Sequence, residues 1–168
     1  MVEERIEKLA DLVCSGNLEE RRRAVEELGS IGPDSVPALI SVLETGNNDS
    51  RWYASRSLVK VGPSCMEALI EVMRNNSDHD LRRYVAGVFV SLGEPGFDLL
   101  VDLLGYPDPH VRGMASMALR KIGAPVVPML LEVVETTDPE NIRRRAAFLT
   151  LVDMECVDQE YLSRLIKS

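Results

Sequence analysis

The sequence predicts an all-α solenoid, a line of stacked helical hairpins, on three observations. The stretch from Asp108 to Gly123 finds itself again when slid along the chain in steps of 30 or 31 residues. Within each step, apolar residues recur at spacings of three and four in two separate runs, the signature of two amphipathic helices. Between the runs stand pairs such as Gly32-Pro33, which stop one helix and open the next. A fixed period of this size marks units that bury their apolar faces only against their neighbours.

The chain opens on half a unit, residues 1–16, where Ile6, Leu9, Val13 and Gly16 stand 30 residues before Val36, Leu39, Leu43 and Gly46. Glu3, Glu4, Glu7 and Asp11 give this first helix the polar surface of a cap. In unit 17–46 the first, or A, helix carries Arg21, Ala24, Val25, Leu28 and Ile31 on one stripe, with Arg23, Glu26 and Ser30 opposite. Its second, or B, helix repeats Val36, Leu39, Ile40 and Leu43. Unit 47–77 places Asn47, Arg51, Ala54, Leu58, Val61 and Gly62 in the same frame. Unit 78–107 follows with Asp78, Arg82, Val85, Phe89, Leu92 and Gly93, and puts Phe97 in its core. Gly87 inside its A helix predicts crowding beside Tyr84 or Phe89, with a kink as the alternative. Unit 108–137 repeats the frame, and residues 138–168 form a degenerate last unit read through Asp138, Arg143 and Ala146. There Thr150 and Asp153 fall where other units are apolar, and Tyr161, Leu162, Leu165 and Ile166 make a final B helix. Gln159, Glu160, Ser163, Arg164 and Lys167 give it a polar outer face. The whole, 1–168, reads as one repeat domain.

Composition narrows the function classes. Acids outnumber bases by 27 to 19, for a net charge of −8, a poor match to the basic stripe of a sequence-independent nucleic-acid binder. Cys14, Cys65 and Cys156 are far apart and show no metal-ligand spacing, so they read as reduced thiols of a cytoplasmic protein. The opening residues already form an amphipathic helix in place of a secretion signal. Ile122 to Leu131, the longest stretch free of polar side chains, is too short and too broken by Gly123, Pro125 and Pro128 to span a membrane.

The pattern of Asp, three residues, Arg, two residues, a small residue, three residues, Leu, two residues and Ile-Gly resembles the HEAT repeat family. Its short period is closest to the HEAT-like repeats of phycobilisome bilin lyases and of small archaeal and bacterial proteins. The resemblance implies a right-handed α-α superhelix whose B helices line the concave, ligand-binding side. It also implies a ladder between units built on Arg21, Arg51, Arg82, Arg112 and Arg143. The spacing supports that ladder, because Asp78 and Arg82, like Asp108 and Arg112, are four apart at a helix start, where the aspartate caps free amides. Asn17 and Asn47 keep the cap in the first two units and weaken the ionic rungs. Fold analogy alone does not choose a ligand.

The B helices carry the clearest functional signal. Glu7 and Asp11, Glu67 and Glu71, and Asp98 and Asp102 are four apart, with Glu132 at the equivalent place further on, so they stack into an acidic stripe. The B segments hold 16 acidic and 5 basic residues, against 11 and 14 in the A segments. Either the stripe is ordinary solvated surface, or it docks a basic segment of another protein, with electrostatics steering the encounter. As a calcium site it lacks the loop glycine and the ligand density. Trp52, the only tryptophan, stands beside Arg51 and Tyr53, either as an interface anchor or packed on the preceding unit. His79 and His110 occupy equivalent turns, and Arg21 to Arg23 and Arg143 to Arg145 read as solvated faces and ladder contacts. No nucleophile, phosphate-loop or zinc motif is present. The reading is therefore a non-enzymatic protein-interaction scaffold without a cofactor. The rivals are a bilin-lyase-like or other enzyme-accessory protein, and a nucleic-acid binder resembling HEAT-like DNA glycosylases, which would need a basic concave face.

Overall fold

The computed structural model describes the backbone of residues 1–167 and side chains through Leu165; the expected places of Ile166 and Lys167 side chains, and Ser168, lie outside the described residues. The chain divides into two compact bodies, Met1–Leu92 and Gly93–Ser168. Among the described residues there are only helices and turns.

In the first body the B helices are α1 (Val2–Ser15), α3 (Val36–Thr45) and α5 (Met66–Asn75), and the A helices are α2 (Leu18–Ile31), α4 (Asn48–Val61) and α6 (His79–Leu92). Helices of a kind stack in series, α2 on α4 on α6 and α1 on α3 on α5, while α1 also packs on α2 and α3 on α4. In the second body α7 (Glu94–Leu103), α9 (Val127–Thr136) and α11 (Gln159–Lys167) are B helices, and α8 (Pro109–Ile122) and α10 (Ile142–Met154) are A helices. Here α8 packs on α10, and α7 on α8 and α9. The HEAT-like, all-α repeat class predicted from the period is the fold observed.

The core consists of the stripe residues. Ala24 and Leu28, Ala54 and Leu58, Val85 and Phe89, and Ala115 and Leu119 are buried on A helices; Leu39 and Leu43, Leu69 and Met73, and Leu100 and Leu104 are buried on B helices. Each buried leucine stabilises the stack by about 1.5–3 kcal/mol through area removed from water. In the last repeat the frame slips by one residue. Ala147 and Leu151 are the buried pair of α10, and Ala146 is only half-buried, because the turn before α10 runs on to Asn141, whose side chain accepts the Arg143 amide. The slip explains Thr150, which is fully buried and pairs with Ser116 at 2.8 Å while donating to the Ala146 carbonyl. Asp153 stays exposed and meets Arg120 at 3.3 Å.

The corner from A to B helix repeats one backbone device. Gly32, Gly62, Gly93 and Gly123 all have φ between 74° and 86°, and with its ψ near −160° Gly62 occupies a region closed to side chains by about 1–3 kcal/mol. Three residues on, a small buried group fills the corner. Ser35 lies 2.9 Å from the Leu28 carbonyl and 2.7 Å from that of Gly32, and the Cys65 thiol lies 3.6 Å from the Leu58 carbonyl. Burial pushes the Cys65 thiol up to about 11, which makes it a packing residue and a poor nucleophile.

Two other glycines have different reasons. A Cβ at Gly29 would land 2.5 Å from the Lys60 Cβ, so its absence lets α4 cross α2 closely and brings Lys60 within 2.8 Å of Glu26. At Gly87 the expected crowding is absent: a Cβ there meets nothing within 4 Å, and α6 runs unbroken through it. No helix among the described residues is long and apolar enough to cross a membrane.

Gly29→Ala should destabilise the fold by about 1–3 kcal/mol through overpacking, whereas Gly87→Ala should stabilise it by about 0.5–1 kcal/mol through helix propensity. Urea midpoints of the two variants moving in the same direction would refute this account of the glycines. For the thiols, Ellman's reagent at neutral pH should modify exposed Cys156 promptly and buried Cys65 only on unfolding. Because burial raises the Cys65 pKa, its contribution to stability is full below 9.0 and declines as pH rises toward about 11. Cys65→Ser should remove that decline, and an unchanged pH profile would sink the assignment.

Candidate functional site

The arginines at the A-helix starts work mainly on carbonyls. Arg21 donates to the Cys14 carbonyl at 3.1 Å, Arg51 to Glu44 at 3.2 Å, Arg82 to Asn76 at 3.0 Å, and Arg112 to Tyr106 at 2.7 Å. The carbonyls that Arg21, Arg51 and Arg82 reach lie at the end of the preceding B helix, where a cation also suits the helix dipole, and that of Arg112 lies in the turn that follows α7. Ionic rungs are unequal. Arg51 meets Asp78 at 2.8 Å, while Arg21 reaches Asp49 only at 3.9 Å. Asp78 caps α6 through the Asp80 and Leu81 amides, and Asp108 caps α8 through the His110 amide. The Leu81 amide first, and then the Arg51 guanidinium, hold the Asp78 carboxyl below its ordinary value. Its contribution is therefore present at neutral pH and lost as pH falls through the lowered value.

In the last repeat the residues change places. Arg144 makes the carbonyl contacts, to Val134 at 2.7 Å and Leu165 at 2.8 Å, and so ties α10 to α9 and α11. Arg143 pairs with Asp102 on α7 at 2.7 Å. The sequence frame assigned Arg143 to the ladder and Asp102 to the docking stripe; the structure brings the two together.

On the B face of the first body, Glu7, Asp11, Glu67 and Glu71 are all exposed. Glu71 holds Arg74 at 2.7 Å, whereas Glu7, Asp11, Glu44 and Glu67 make no ion pair among the described residues. Between α3 and α5 runs an open groove of about 420 Å³ with Val36, Ile40, Ala68 and Val72 on its floor, Pro37 beside them, and Glu44 and Glu71 on its rim. Ile40, expected in the core stripe, is half-buried, and Pro37, like Pro128 in the second body, stands at the register where α1, α5 and α7 carry an acid. In the second body Asp98, Asp102 and Glu132 are likewise exposed, and among the described residues only Asp102 of the three forms an ion pair. No three His, Cys, Asp or Glu side chains among the described residues gather closely enough to hold a metal ion.

Trp52 lies on α4, 48% exposed. Tyr53 meets its ring edge-on with centroids 4.8 Å apart, and the Arg56 guanidinium sits 5.0 Å from the indole centroid. Arg21 lies 5.6 Å over the Tyr53 ring, and the Tyr84 hydroxyl donates to the Asn48 carbonyl at 3.1 Å. His79 and His110 are both exposed.

Comparison with known proteins agrees with this architecture. HEAT repeats match residues 66–151, from α5 into α10, and the PBS lyase HEAT-like repeat matches residues 20–45, the hairpin of α2 and α3. No curated protein matches the chain. A crystal structure of an engineered protein aligns over 96% of this chain and 95% of that one at 15% identity, with a TM-score of 0.32, a likeness that carries no argument. HEAT repeats generally serve as protein-interaction scaffolds. With just over half of its length matched to them, and its A and B helices stacked in series, the chain belongs to the HEAT repeat family.

Proposed function

We propose that the protein is a non-enzymatic interaction scaffold that docks a basic segment of another protein on the B-helix face of the Met1–Leu92 body. The groove between α3 and α5 carries this reading. Its floor of Ile40 and Ala68, with Pro37 beside them, offers apolar area to one side chain of the segment, and the carboxylate of Glu44 stands beside it for Lys or Arg, while Glu71 already holds Arg74 at 2.7 Å. Glu67, one turn before Glu71, and Glu7 and Asp11 on α1 extend the negative field along the same set of helices. Such a field raises the association rate and sets register, while the apolar contact supplies most of the affinity. The two bind best together, since a lysine stem can lie on the floor while its ammonium reaches the rim.

A fluorescein-labelled peptide alternating Lys and Leu tests this against a Glu and Leu counterpart. The basic peptide should bind and the acidic one should not occupy this groove. Binding of the basic peptide should weaken with salt and fall by about tenfold or more in Glu44→Lys/Glu67→Lys/Glu71→Lys, with circular dichroism showing that the variant is folded. Equal affinity for native and variant protein would refute the groove as the docking site.

A further inference from the structure

We propose a second docking surface of opposite sign, on the A helices of the same body, which binds an acidic protein segment through Trp52, Arg22 and Arg56. It stands on different residues from the α3–α5 groove and does not depend on that reading.

The surface is a cleft of about 420 Å³ where α2 meets α4, lined by Arg22, Val25, Glu26, Trp52, Tyr53 and Arg56. A second hollow of about 310 Å³ continues past the same two aromatics toward Leu18, which is 57% exposed, and is also lined by Arg21 and Asp49, which lie 3.9 Å apart. Trp52 and Leu18 are thus large apolar groups left in water on the walls of one hollow, and Trp, Tyr and Arg are the residues enriched in interface hot spots. Trp52 is also held in place. Tyr53 packs edge-on against it and Arg56 stacks at 5.0 Å, so little side-chain freedom is left to lose on binding.

The electrostatics select the partner. The acids of α2 are mostly engaged elsewhere: Glu20 accepts from the Asn17 amide, Glu26 holds Lys60 at 2.8 Å, and Glu27 holds Arg5 at 2.7 Å. Among the described residues, Glu19 is the one acid of that helix without such a partner. Arg22 and Arg56 form no ion pair among the described residues, and both guanidiniums border the cleft that Trp52 walls. A guanidinium stacked on an indole keeps its N–H edge free for a carboxylate, which it binds with two parallel hydrogen bonds. Two such groups flanking an apolar wall fit two carboxylates flanking an apolar side chain. A nucleic acid fits less well, since it needs a longer run of cations than a cleft whose walls also hold Glu26 and whose chain carries a net charge of −8.

The chain's single tryptophan is the natural reporter. A Trp-free peptide of Asp, Glu and Leu, titrated into the full chain, should shift Trp52 emission saturably. Arg22→Glu/Arg56→Glu, shown folded by circular dichroism, should weaken that response about tenfold or more, and Trp52→Phe should weaken binding of the same peptide when it carries fluorescein. The Glu44→Lys/Glu67→Lys/Glu71→Lys variant should leave it unchanged, which separates this surface from the acidic groove. The proposal is overturned by any of three results: no saturable response up to about 1 mM peptide, equal binding by the arginine variant, or tighter binding of single-stranded oligothymidine than of the acidic peptide at physiological salt.

Discussion

A helix that ends inside a stack leaves carbonyls without partners, and in this chain an arginine from the following A helix closes them. Arg21, Arg51 and Arg82 each reach back six or seven residues to the end of the preceding B helix, and Arg112 reaches back six to the turn after α7. The bond does more than satisfy an acceptor. It fixes where the next A helix starts relative to the last B helix, and with it which apolar residues face the stack. The guanidiniums are largely shielded, with the Arg51 side chain only 12% exposed, so losing one would leave a carbonyl and the start of a helix unsupported at once. The Nε atoms of Arg21, Arg51 and Arg143 remain buried without partners, a cost that the forked contacts of the same side chains must outweigh.

Much of this was legible because a stacking constraint writes itself at a fixed period. Ala24 and Leu28 recur as Ala54 and Leu58 and as Ala115 and Leu119, all buried, because a bulky group at the small position would push neighbouring A helices apart. What the period hid is whatever depends on a single turn. The longer connection before α10 moved the frame from Ala146 to Ala147 and from Arg143 to Arg144, and residue type gave no warning, since three arginines and two alanines stand in a row. Gly87 failed for a related reason. Sequence shows that a side chain is missing but not whether anything occupies its place, and here nothing does, whereas at Gly29 Lys60 does.

The candidate sites divide in the same way. Exposure of the acids followed from helical spacing, because a residue opposite the buried stripe has nowhere else to point. Their partners did not follow. Asp102 meets Arg143 across 41 residues of chain, and the groove floor of Ile40 and Ala68 exists only because α3 lies beside α5. Trp52 was visible as an unusual residue, but the cleft it walls is made by Arg22 from the neighbouring helix.

Folding requires the ladder arginines of the A helices, but it does not require the acids of the B helices to be gathered as they are. Exposed ion pairs such as Lys8 with Glu4 contribute at most about 1 kcal/mol, and like charges four apart on a helix cost roughly 0.2–0.5 kcal/mol. A chain under selection for stability alone would mix its signs, since any surface acid in Glu7 and Asp11 could be exchanged without touching the core. Glu71 and Asp102 have recovered that cost through Arg74 and Arg143; Glu7 and Asp11 have not. Segregation that is mildly unfavourable for folding, on a scaffold whose helices are fixed by other contacts, is what a surface used for recognition would retain. The two sides therefore differ in origin: the ladder arginines of the A helices are held by carbonyls of the stack, while Glu7 and Asp11 make no ion pair among the described residues.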